Sequence, residues 1–395
     1  MRISYSSVLP IFPILASSLV YAVNACKSNE DCSLNGVCDT HHKTCTCDPG
    51  WTAADCGKLD LKPATRGTGY NKTASGTSSW CNVIKHDPKD KSLWHLFVSE
   101  FQDGCGLDFW SPFSRIIRAE SRHGPEGPYE FAAQVAPSFA HNPSVVWSPA
   151  DKLYLIYGIG CHQNLPATCT PPEFTCGPGN FINGESGISL WSSPDLYTWT
   201  SHGQIFKGDN GGNWDADLTN PSPLPLYSSN DHTDTILLAY RGCPYNCSGS
   251  EQINLAEAPH FLGPYHKLEK NPIFPNPNED PFIWRDKRGH YHMLSHSLEP
   301  LGGFGSGPNV GRHAYSKDID GPWHFNNNTL AFSTLVDFTD GSSTNYYRRE
   351  RPNLYFSEDG KMVPLFLGTG VQEVNSSMSY SLIQPVGSSG SGYKE

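Results

Sequence analysis

Residues 279–296 read EDPFIWRDKRGHYHMLSH and have the pattern of a β-hairpin. An acidic pair and a proline precede the short apolar run 282–284. The charged turn 286–289 contains a glycine, and a second strand-like run begins at Tyr291. Two apolar runs joined by a short glycine-containing turn predict a pair of antiparallel strands.

The hairpin pattern occurs five times along the chain. The first strands of the five hairpins are predicted at 81–84, 143–147, 221–226, 281–284 and 352–356. The second strands are predicted at 93–98, 153–157, 236–240, 291–294 and 363–367. In the first four units a third strand follows, and then a turn with an aromatic residue, at 127–129, 193–199, 263–265 and 321–323.

A unit of about four strands that repeats about every 60 to 80 residues is typical of a β-propeller. We therefore predict an all-β fold, with a five-bladed β-propeller over residues 79–385. A two-sheet sandwich is the alternative all-β architecture, but it would leave the repetition unexplained.

The composition agrees with many short strands. The 395 residues include 37 glycines, 32 prolines and only 4 methionines, and 12% are aromatic. Such a composition favours strands joined by turns over long helices. The formal net charge of −11 argues against nucleic acid or an anionic membrane as a partner, because phosphate groups are bound by basic surfaces.

The two ends of the chain differ in composition from the rest. Arg2 and the apolar run 8–20 precede small residues suited to cleavage, and we predict a secretory signal peptide at 1–25. The apolar run is too short and too interrupted by proline to span a membrane. The end of the chain, 386–395, is rich in glycine and serine and is predicted to be a flexible tail.

Cysteines and glycosylation sequences also indicate a secreted, extracellular protein. The chain has 13 cysteines, which suits the oxidising secretory route. Asn-x-Ser/Thr sequences predict N-glycosylation at Asn71, Asn246, Asn327 and Asn375. Such triplets also occur by chance, but together with the signal peptide they favour secretion.

Six cysteines lie within residues 26–57, at positions 26, 32, 38, 45, 47 and 56. A segment this short cannot bury enough apolar surface to fold without crosslinks. It ends with Cys-x-Cys, two residues, glycine, an aromatic residue, four residues and cysteine, and it resembles the epidermal-growth-factor-like module. The resemblance implies the bridges Cys26–Cys38, Cys32–Cys45 and Cys47–Cys56, which spacing alone does not select. It also implies a role as a spacer or a protein-contact unit.

Residues 58–78 are predicted to be a linker, and seven cysteines lie beyond it. The candidate pairs are Cys243 with Cys247, Cys81 with Cys105, and two of Cys161, Cys169 and Cys176. Because seven is odd, one thiol should remain free.

The inner strand of each predicted blade should bring its first residues to the central channel. The residues before the strand prolines are Asn142, Asn220, Asp280 and Arg351, with Trp80 as the equivalent in blade one; one position earlier lie His141, Thr219, Glu279 and Glu350. Amides, carboxylates and arginine can hydrogen-bond sugar hydroxyls, and a tryptophan face can stack on a sugar ring. The predicted substrate-binding residues are Trp80, His141, Asn142, Asn220, Arg241, His296, Arg349 and Arg351.

The predicted propeller resembles those of the family 43 glycoside hydrolases and their relatives over about residues 78–385. The resemblance rests on the blade-opening sequence HNPSVVW at 141–147, the blade-closing sequence SPDLYTW at 193–199, and the Gly-Pro-Tyr or Gly-Pro-Trp turns. It implies a polysaccharide or glycan as partner. It also implies an aspartate general base in the first blade, an aspartate that tunes pKa in the second and a glutamate general acid in the third.

This sequence departs from the family pattern. Trp80 and Asn142 stand where the two aspartates are expected, and Asn220 opens the third blade. An amide cannot accept a proton from water at neutral pH. If the protein is a hydrolase, its catalytic carboxylates must therefore come from elsewhere, and the candidates are Asp280, Glu350, Glu279 and Asp217.

Asp280 and Glu350 lie on neighbouring inner strands of the predicted propeller. Inverting hydrolysis needs two carboxyl groups about 6.5–9.5 Å apart. The arginines beside Glu350 predict a lowered pKa and the role of base, which leaves Asp280 or Glu279 as the acid. The alternative is an ordinary ion-pair network that closes the channel.

Three histidines, His290, His292 and His296, would share one face of a regular strand. Zinc sites use such residues, but this strand offers no cysteine and no helix to bring the ligands together. We therefore predict no metal site and no cofactor, and a cation bound in the channel stays an open alternative.

Two functions are compatible with the sequence. The first is a secreted glycoside hydrolase acting on an extracellular polysaccharide or glycan. The second is a non-catalytic carbohydrate-binding or matrix-interaction propeller that lacks the usual acidic residues. The two differ in whether the carboxyl groups of Asp280 and Glu350 face a common open cavity or are engaged by arginines.

Overall fold

The computed structural model describes residues 25–170, 187–208, 214–244, 249–275, 277–298 and 311–391. Antiparallel strands dominate these ranges, which confirms the predicted all-β class. The helices described are short. They are four 3-10 helices, Asn29–Cys32, Thr73–Ser75, Gln102–Gly104 and Leu107–Phe109, and two α-helices, α1 (Trp110–Phe113) and α2 (Gly387–Ser391).

The N-terminal part, residues 25–59, is a small disulfide module. Its strands are β1 (Gly36–Asp39), β2 (Thr44–Cys47), β3 (Trp51–Thr52) and β4 (Lys58–Leu59), paired as β1 with β2 and β3 with β4. The bridges are Cys26–Cys38, Cys32–Cys45 and Cys47–Cys56. The pairing that the family resemblance implies is therefore confirmed.

Five antiparallel sheets follow and form the five predicted blades. Blade 1 contains β5 (Ser79–His86), β6 (Trp94–Phe101), β7 (Ser114–Ser121) and β8 (Glu130–Ala136). Blade 2 contains β9 (His141–Ser148), β10 (Leu153–Ile159), β11 (Gly187–Ser193) and β12 (Thr200–Lys207). Blade 3 contains β13 (Asp217–Ser228), β14 (Thr233–Cys243), β15 (Gln252–Ala258) and β16 (His266–Lys267).

Blade 4 contains β17 (Asn278–Arg285), β18 (Tyr291–Ser297), β19 (Gly311–Ser316) and β20 (His324–Phe325). A small hairpin of β21 (Leu335–Asp337) and β22 (Ser343–Asn345) separates it from blade 5. Blade 5 contains β23 (Arg348–Phe356), β24 (Pro364–Gln372) and β25 (Ser379–Pro385). The quoted hairpin 279–296 is thus the inner pair of strands of blade 4.

The blades pack face to face, and this explains the apolar runs in the middle strands. In β14, Ile236 and Leu238 share a core with Leu155 of blade 2. Leu237, on the opposite face of the strand, lies in a core with Met293 of blade 4. Because successive side chains point to opposite faces, a strand covered on both sides must be apolar at every position.

The stretch that is predicted to be a linker, 58–78, runs along the outer edge of blade 5. Tyr70 donates its backbone N–H to Ser381 (2.9 Å) and accepts one back (3.2 Å), and Lys62 donates to the carbonyl of Pro385 (2.9 Å). These hydrogen bonds pair the edge strand of the three-stranded blade 5. An unpaired edge strand could pair with another chain and lead to aggregation.

The disulfide module is docked on blade 4. The Trp51 ring is stacked on Trp284, with centroids 6.3 Å apart, and lies 4.9 Å from the ring of His313. Trp51 is only 8% exposed and belongs to a core that also contains Leu367 of blade 5. The Tyr315 hydroxyl donates to the carbonyl of Glu30 (2.7 Å). Module and propeller therefore share one hydrophobic core.

The propeller cysteines depart from the predicted pairs. Cys105 is bonded to Cys169, not to Cys81. Cys81 is a buried free thiol on the inner strand β5, which matches the expectation of one free thiol. Cys161 and Cys243 are also disulfide-bonded, and the proposed partner of Cys243, Cys247, lies outside the described residues.

The predicted tail and most of the predicted glycosylation sites lie within the described residues. The predicted flexible tail contains α2, and Val386 just before it is fully buried. The side chains of Asn71, Asn327 and Asn375 are exposed, whereas Asn246 and residues 1–24 lie outside the described residues. In the part of the chain that is described, no helix has the length and apolar character to cross a membrane.

Candidate active site

All five inner strands have a residue in the left-handed conformation at the same position. These residues are Cys81, Asn142, Asn220, Asp280 and Arg351, with φ between 49° and 57°, and we call them the inner ring. Asn and Asp tolerate this conformation better than other non-glycine residues. The strand registers shift at this point in β5, β13, β17 and β23, so the position is a β-bulge.

The equivalence predicted for blade 1 is wrong by one residue. Cys81, not Trp80, occupies the inner ring, because Asn82 stands where the other four blades have a proline. Trp80 instead corresponds to His141, Thr219, Glu279 and Glu350, one position earlier in each blade. We call these five residues the outer ring.

Hydrogen bonds link four members of the inner ring. Asn142 donates its side-chain amide to Asn220 (3.0 Å), and Asn220 donates to Oδ1 of Asp280 (2.7 Å). Arg351 donates its backbone N–H to Oδ2 of Asp280 (3.0 Å), and its guanidinium lies 3.4 Å from Oδ1. Asp280 is therefore engaged on both oxygens and holds neighbouring blades together.

The outer ring opens into a cavity of about 700 Å³. Its lining residues are Trp80, Leu107, Asp108, Trp110, His141, Asn142, Thr219, Asn220, Arg241, Gly249, Glu251, Glu279, Asp280, Leu298, Arg348 and Glu350. The volume is in the range of sites that bind small ligands.

Of the predicted substrate-binding residues, Trp80, His141, Asn142, Asn220 and Arg241 line this cavity. The other three, His296, Arg349 and Arg351, do not.

Two tryptophans border the cavity in different ways. Trp80 is only 3% exposed. Its ring packs against the backbone of Gly370, and a Cβ added at Gly370 would lie 2.5 Å from that ring. Trp110, at the start of α1, is half-buried and lies 4.8 Å from the ring of His141. Trp110 offers the more accessible face, and sequence reasoning missed it because α1 lies between the second and third strands of blade 1.

Glu279 is the ionised carboxylate of the site. Arg241 donates to its Oε2 (3.1 Å), and Nδ1 of His296 lies 3.1 Å from its Oε1. Burial alone would raise the pKa of Glu279, but the hydrogen bonds and positive charges of His296 and Arg241 lower it to about 2. Glu279 therefore keeps its negative charge at neutral pH.

Glu350 lies beside Glu279, but its pKa is shifted in the opposite direction. Burial raises the pKa of Glu350 to about 7, and the negative charges of Glu279 and Asp280 act in the same direction. Its Oε1 is buried and makes no hydrogen bond within the described structure.

The low pKa that the neighbouring arginines predict for Glu350 is thus not found. Arg348 lines the same cavity and acts to lower this pKa, but burial and the charges of Glu279 and Asp280 outweigh it, and the other two arginines face elsewhere. Arg349 donates to the carbonyl of Ser333 (3.0 Å) and to Gln384 (2.7 Å), on the far side of the strand. Arg351 is directed to Asp280.

Glu251 is a site residue that sequence reasoning missed. It precedes β15, the third strand of blade 3, and so lies outside the inner strands that the repeated prolines mark. Arg241 Nη1 lies 3.1 Å from Oε1 of Glu251 as well as 3.1 Å from Glu279, so one arginine bridges the two carboxyl groups. Burial raises the pKa of Glu251 to about 7 against the effect of Arg241, and the charges of Glu279 and Asp280 raise it further.

Glu279, Asp280, His296 and Glu350 have side-chain atoms within 4.8 Å of one another. Asp280 and Glu350 are thus closer than the spacing of about 6.5–9.5 Å expected for an inverting pair. Burial alone would lower the pKa of His296, but the charges of Glu350, Glu279 and Asp280 raise it to about 9.

Asp217, the fourth predicted catalytic residue, lies at the start of β13. Its side chain is fully buried opposite Cys243 in the strand register, and it does not line the cavity. Its neighbour Asp215 forms an ion pair with Lys267 (2.6 Å) and accepts a hydrogen bond from Tyr240 (3.0 Å). These aspartates lie in the packing of blade 3, apart from the outer ring.

No model of a known protein family matches this chain, and no curated protein sequence matches it. Among solved structures, Zg3597, a family 117 glycoside hydrolase of the marine bacterium Zobellia galactanivorans, is 15% identical with a TM-score of 0.52, over 84% of this chain and 90% of that chain.

Two further solved structures are similarly related. The α-L-arabinofuranosidase PaAbf62A of Podospora anserina, solved with cellotriose, is 12% identical with a TM-score of 0.52, over 82% of this chain and 95% of that chain. A GH62 hydrolase solved with xylotriose is 12% identical with a TM-score of 0.54, over 84% of this chain and 98% of that chain. The protein has the five-bladed β-propeller fold of these glycoside hydrolases.

Proposed function

We propose that the protein is a secreted glycoside hydrolase that cleaves a polysaccharide or glycan in the cavity of the outer ring. One observation carries this proposal. A carboxylate that is ionised at neutral pH, Glu279, lies next to two carboxyl groups, Glu251 and Glu350, whose pKa values are raised to about 7. Carboxyl groups with different pKa values in one cavity are the basis of acid and base catalysis of glycoside hydrolysis.

In this proposal Glu350 is the general acid. It is 5% exposed, and burial with the adjacent charge of Glu279 keeps a proton on it near neutral pH. Its Oε1 makes no hydrogen bond within the described structure, so the carboxyl proton is not already donated to another group from that oxygen. A general acid is most effective when its pKa is near the working pH.

Glu251 is the general base. Its side chain is 24% exposed, so water from the cavity mouth reaches it, and Arg241 lies against its carboxylate. The adjacent cation stabilises the ionised form, which is the form that accepts a proton from water.

Glu279 is a positioning residue. Arg241 and His296 engage its two oxygens, so neither is available to take a proton. Its charge contributes to the raised pKa of both Glu251 and Glu350.

The cavity favours a neutral sugar. Five carboxyl groups line it, those of Asp108, Glu251, Glu279, Asp280 and Glu350, against the two cations of Arg241 and Arg348. With Glu350 protonated as the acid and Glu251 ionised as the base, four carboxylates face two cations. An acidic sugar would be repelled by this excess of negative charge.

Polar side chains around the cavity suit the hydroxyl groups of such a sugar. His141 Nδ1, Asn142 Oδ1 and Thr219 Oγ1 make no hydrogen bond within the described residues. Trp110 adds a partly exposed aromatic face on which a sugar ring can stack.

Disulfide bonds support the secreted location. Three disulfide bridges crosslink the small module, and a fourth, Cys105–Cys169, crosslinks two segments of the propeller. Stable disulfides persist in oxidising, extracellular compartments. Any contact of the module with another protein would use the face of the module that is turned away from blade 4.

A non-catalytic carbohydrate-binding propeller is the second candidate. It is favoured by the outer ring of blades 1 and 2, where Trp80 and His141 stand at the positions equivalent to Glu279 and Glu350. His141 is 3% exposed and packed between Trp110 and Phe101, and burial keeps its pKa well below the usual value. The outer-ring residues of these two blades can bind a sugar, but neither is a carboxyl group.

The test is a screen of the full-length secreted protein against neutral plant, fungal and algal polysaccharides. Release of reducing sugar and binding of the polysaccharide are measured in separate assays. We expect turnover of at least one neutral substrate and none of polyuronates. Binding without release of reducing sugar across the whole set would support the second candidate and refute the hydrolase.

The pH dependence of the hydrolysis rate is a specific prediction. The rate should fall above about pH 7 as Glu350 loses its proton, and fall below about pH 7 as Glu251 gains one. The profile of kcat/KM against pH should therefore be a bell centred near neutrality. An optimum at pH 4–5, where ordinary carboxyl groups titrate, would contradict the assignment.

A further inference from the structure

A second cluster of ionisable side chains lies at the opposite end of the hairpin that carries Glu279 and His296. It consists of Asp286, at the start of the turn, of His290, just before the returning strand, and of His292 on that strand. One ligand atom from each lies within 4.8 Å of the others. Nδ1 of His290 is 3.4 Å and Nε2 of His292 is 3.5 Å from the same oxygen, Oδ2 of Asp286.

The turn fixes this arrangement. Oδ1 of Asp286 accepts the backbone N–H groups of Arg288 (2.8 Å) and His290 (2.8 Å), which orients the carboxylate. His290 and His292 are two residues apart and so lie on the same face. The histidines need no helix to converge, because the turn brings Asp286 to them.

The two nitrogens that face Asp286 make no hydrogen bond of normal length. Nδ1 of His290 and Nε2 of His292 are both buried and make none within the described residues, and His292 is fully buried. Buried polar atoms without partners are uncommon in folded proteins and call for an explanation such as an ion. The separations of 3.4 Å and 3.5 Å exceed those of normal hydrogen bonds.

The same separations fit a metal ion. In a tetrahedral zinc site with bonds of about 2.0–2.1 Å, neighbouring ligand atoms are about 3.3 Å apart. We propose that Asp286, His290 and His292 form a zinc site, with water as the fourth ligand. The side chain of His290 is 22% exposed, which leaves access for that water.

Neighbouring side chains contact two of the proposed zinc ligands, His292 and Asp286. Nδ1 of His292 lies 3.1 Å from Nε2 of His313, which fixes the ring of the ligand. Arg288 donates to Oδ2 of Asp286 (3.0 Å). Histidine ligands usually have their second nitrogen engaged in this way, and ligating carboxylates are hydrogen-bonded in turn.

The site would act on the docking of the disulfide module. From the same turn, Arg288 donates to the carbonyl of Leu34 (2.6 Å) and forms an ion pair with Asp48, both in the module. An ion held by Asp286 would stiffen the turn and so hold Arg288 in place. The role is structural and independent of the hydrolase proposal.

The test measures zinc binding by the full-length protein after dialysis against a chelator. Isothermal titration with Zn²⁺ is expected to give one site per chain, and Zn²⁺ should raise the melting temperature. His290→Ala and Asp286→Asn should each weaken binding by more than about 100-fold and abolish the shift in melting temperature. His266→Ala, at an exposed histidine on β16, should bind as the wild type does.

Far-UV circular dichroism checks that each variant is folded. His290 is the primary variant because its side chain is partly exposed and its truncation leaves the turn hydrogen bonds in place. Absence of stoichiometric zinc binding by the wild type would overturn the proposal. Equal affinity in folded His290→Ala protein would also overturn it, by placing the ion elsewhere.

Discussion

Replacing Glu350 by glutamine is expected to lower kcat by about 10²–10⁴-fold on any glycan that the wild type cleaves, the range that general acid catalysis contributes. Glutamine keeps the shape of the side chain but cannot donate a carboxyl proton to the leaving group. Initial rates with a saturating substrate measure kcat, and KM should change little because the side-chain volume is kept.

Matched variants make this result specific. Glu251→Gln, the proposed base, should lose activity to a similar degree, whereas Glu257→Gln, an exposed glutamate on β15, should remain within about twofold of the wild type because surface substitutions have small effects. Retention of more than a tenth of the wild-type kcat in Glu350→Gln would contradict the assignment of the acid.

The stability of Glu350→Gln distinguishes lost chemistry from lost structure. The raised pKa of Glu350 means that the fold favours the protonated side chain, so this contribution to stability is present at acid pH and is lost as the pH rises through about 7. Glutamine has no charge to bury. The variant should therefore unfold at a higher temperature than the wild type at pH 8.5 and at a similar temperature at pH 5.

Replacing Trp51 by alanine is expected to lower the free energy of unfolding by about 3–5 kcal/mol, the usual effect of truncating a buried aromatic residue. Trp51 is 8% exposed and packs on Trp284 and His313 across the contact with blade 4. Its removal leaves a cavity between module and propeller. Guanidinium unfolding with the disulfides intact, followed by tryptophan fluorescence, measures the effect.

Trp147→Ala is the control, because Trp147 is 41% exposed and its truncation should change stability by no more than about 1 kcal/mol. We expect a single transition in the wild type, since Trp51 and Leu367 of blade 5 lie in one core. An early, separate transition that alone responds to Trp51→Ala would show that the module folds independently, and would contradict the shared core.

Much of the scaffold could be predicted because its signals are local. The repeated turns and prolines indicate the blades, and four of the five inner-ring residues are identified by the proline that follows them. In blade 1 the prediction fails by one residue, because Cys81 is followed by Asn82. Nothing local at that point distinguishes Cys81 from Trp80.

The site could be predicted only in part. Glu279 and Glu350 lie on inner strands and were found, but Glu251 reaches the cavity from the start of β15, and Trp110 reaches it from α1. These residues come from outer parts of their blades. Their positions depend on connections whose length and path have no repeating signal.

The sequence alone determined the number of blades and the hairpin 279–296, because strand periodicity and turn residues depend on neighbouring residues. The bridges of the small module followed from its resemblance to a known family, since cysteine spacing alone does not select them. Only the tertiary structure decided which carboxyl group is ionised. The pKa of Glu350 depends on burial and on Glu279 from another blade, while the adjacent Arg349 faces the other side of its strand. Likewise, Asp286 meets His290 and His292 only because the turn folds the chain back on itself.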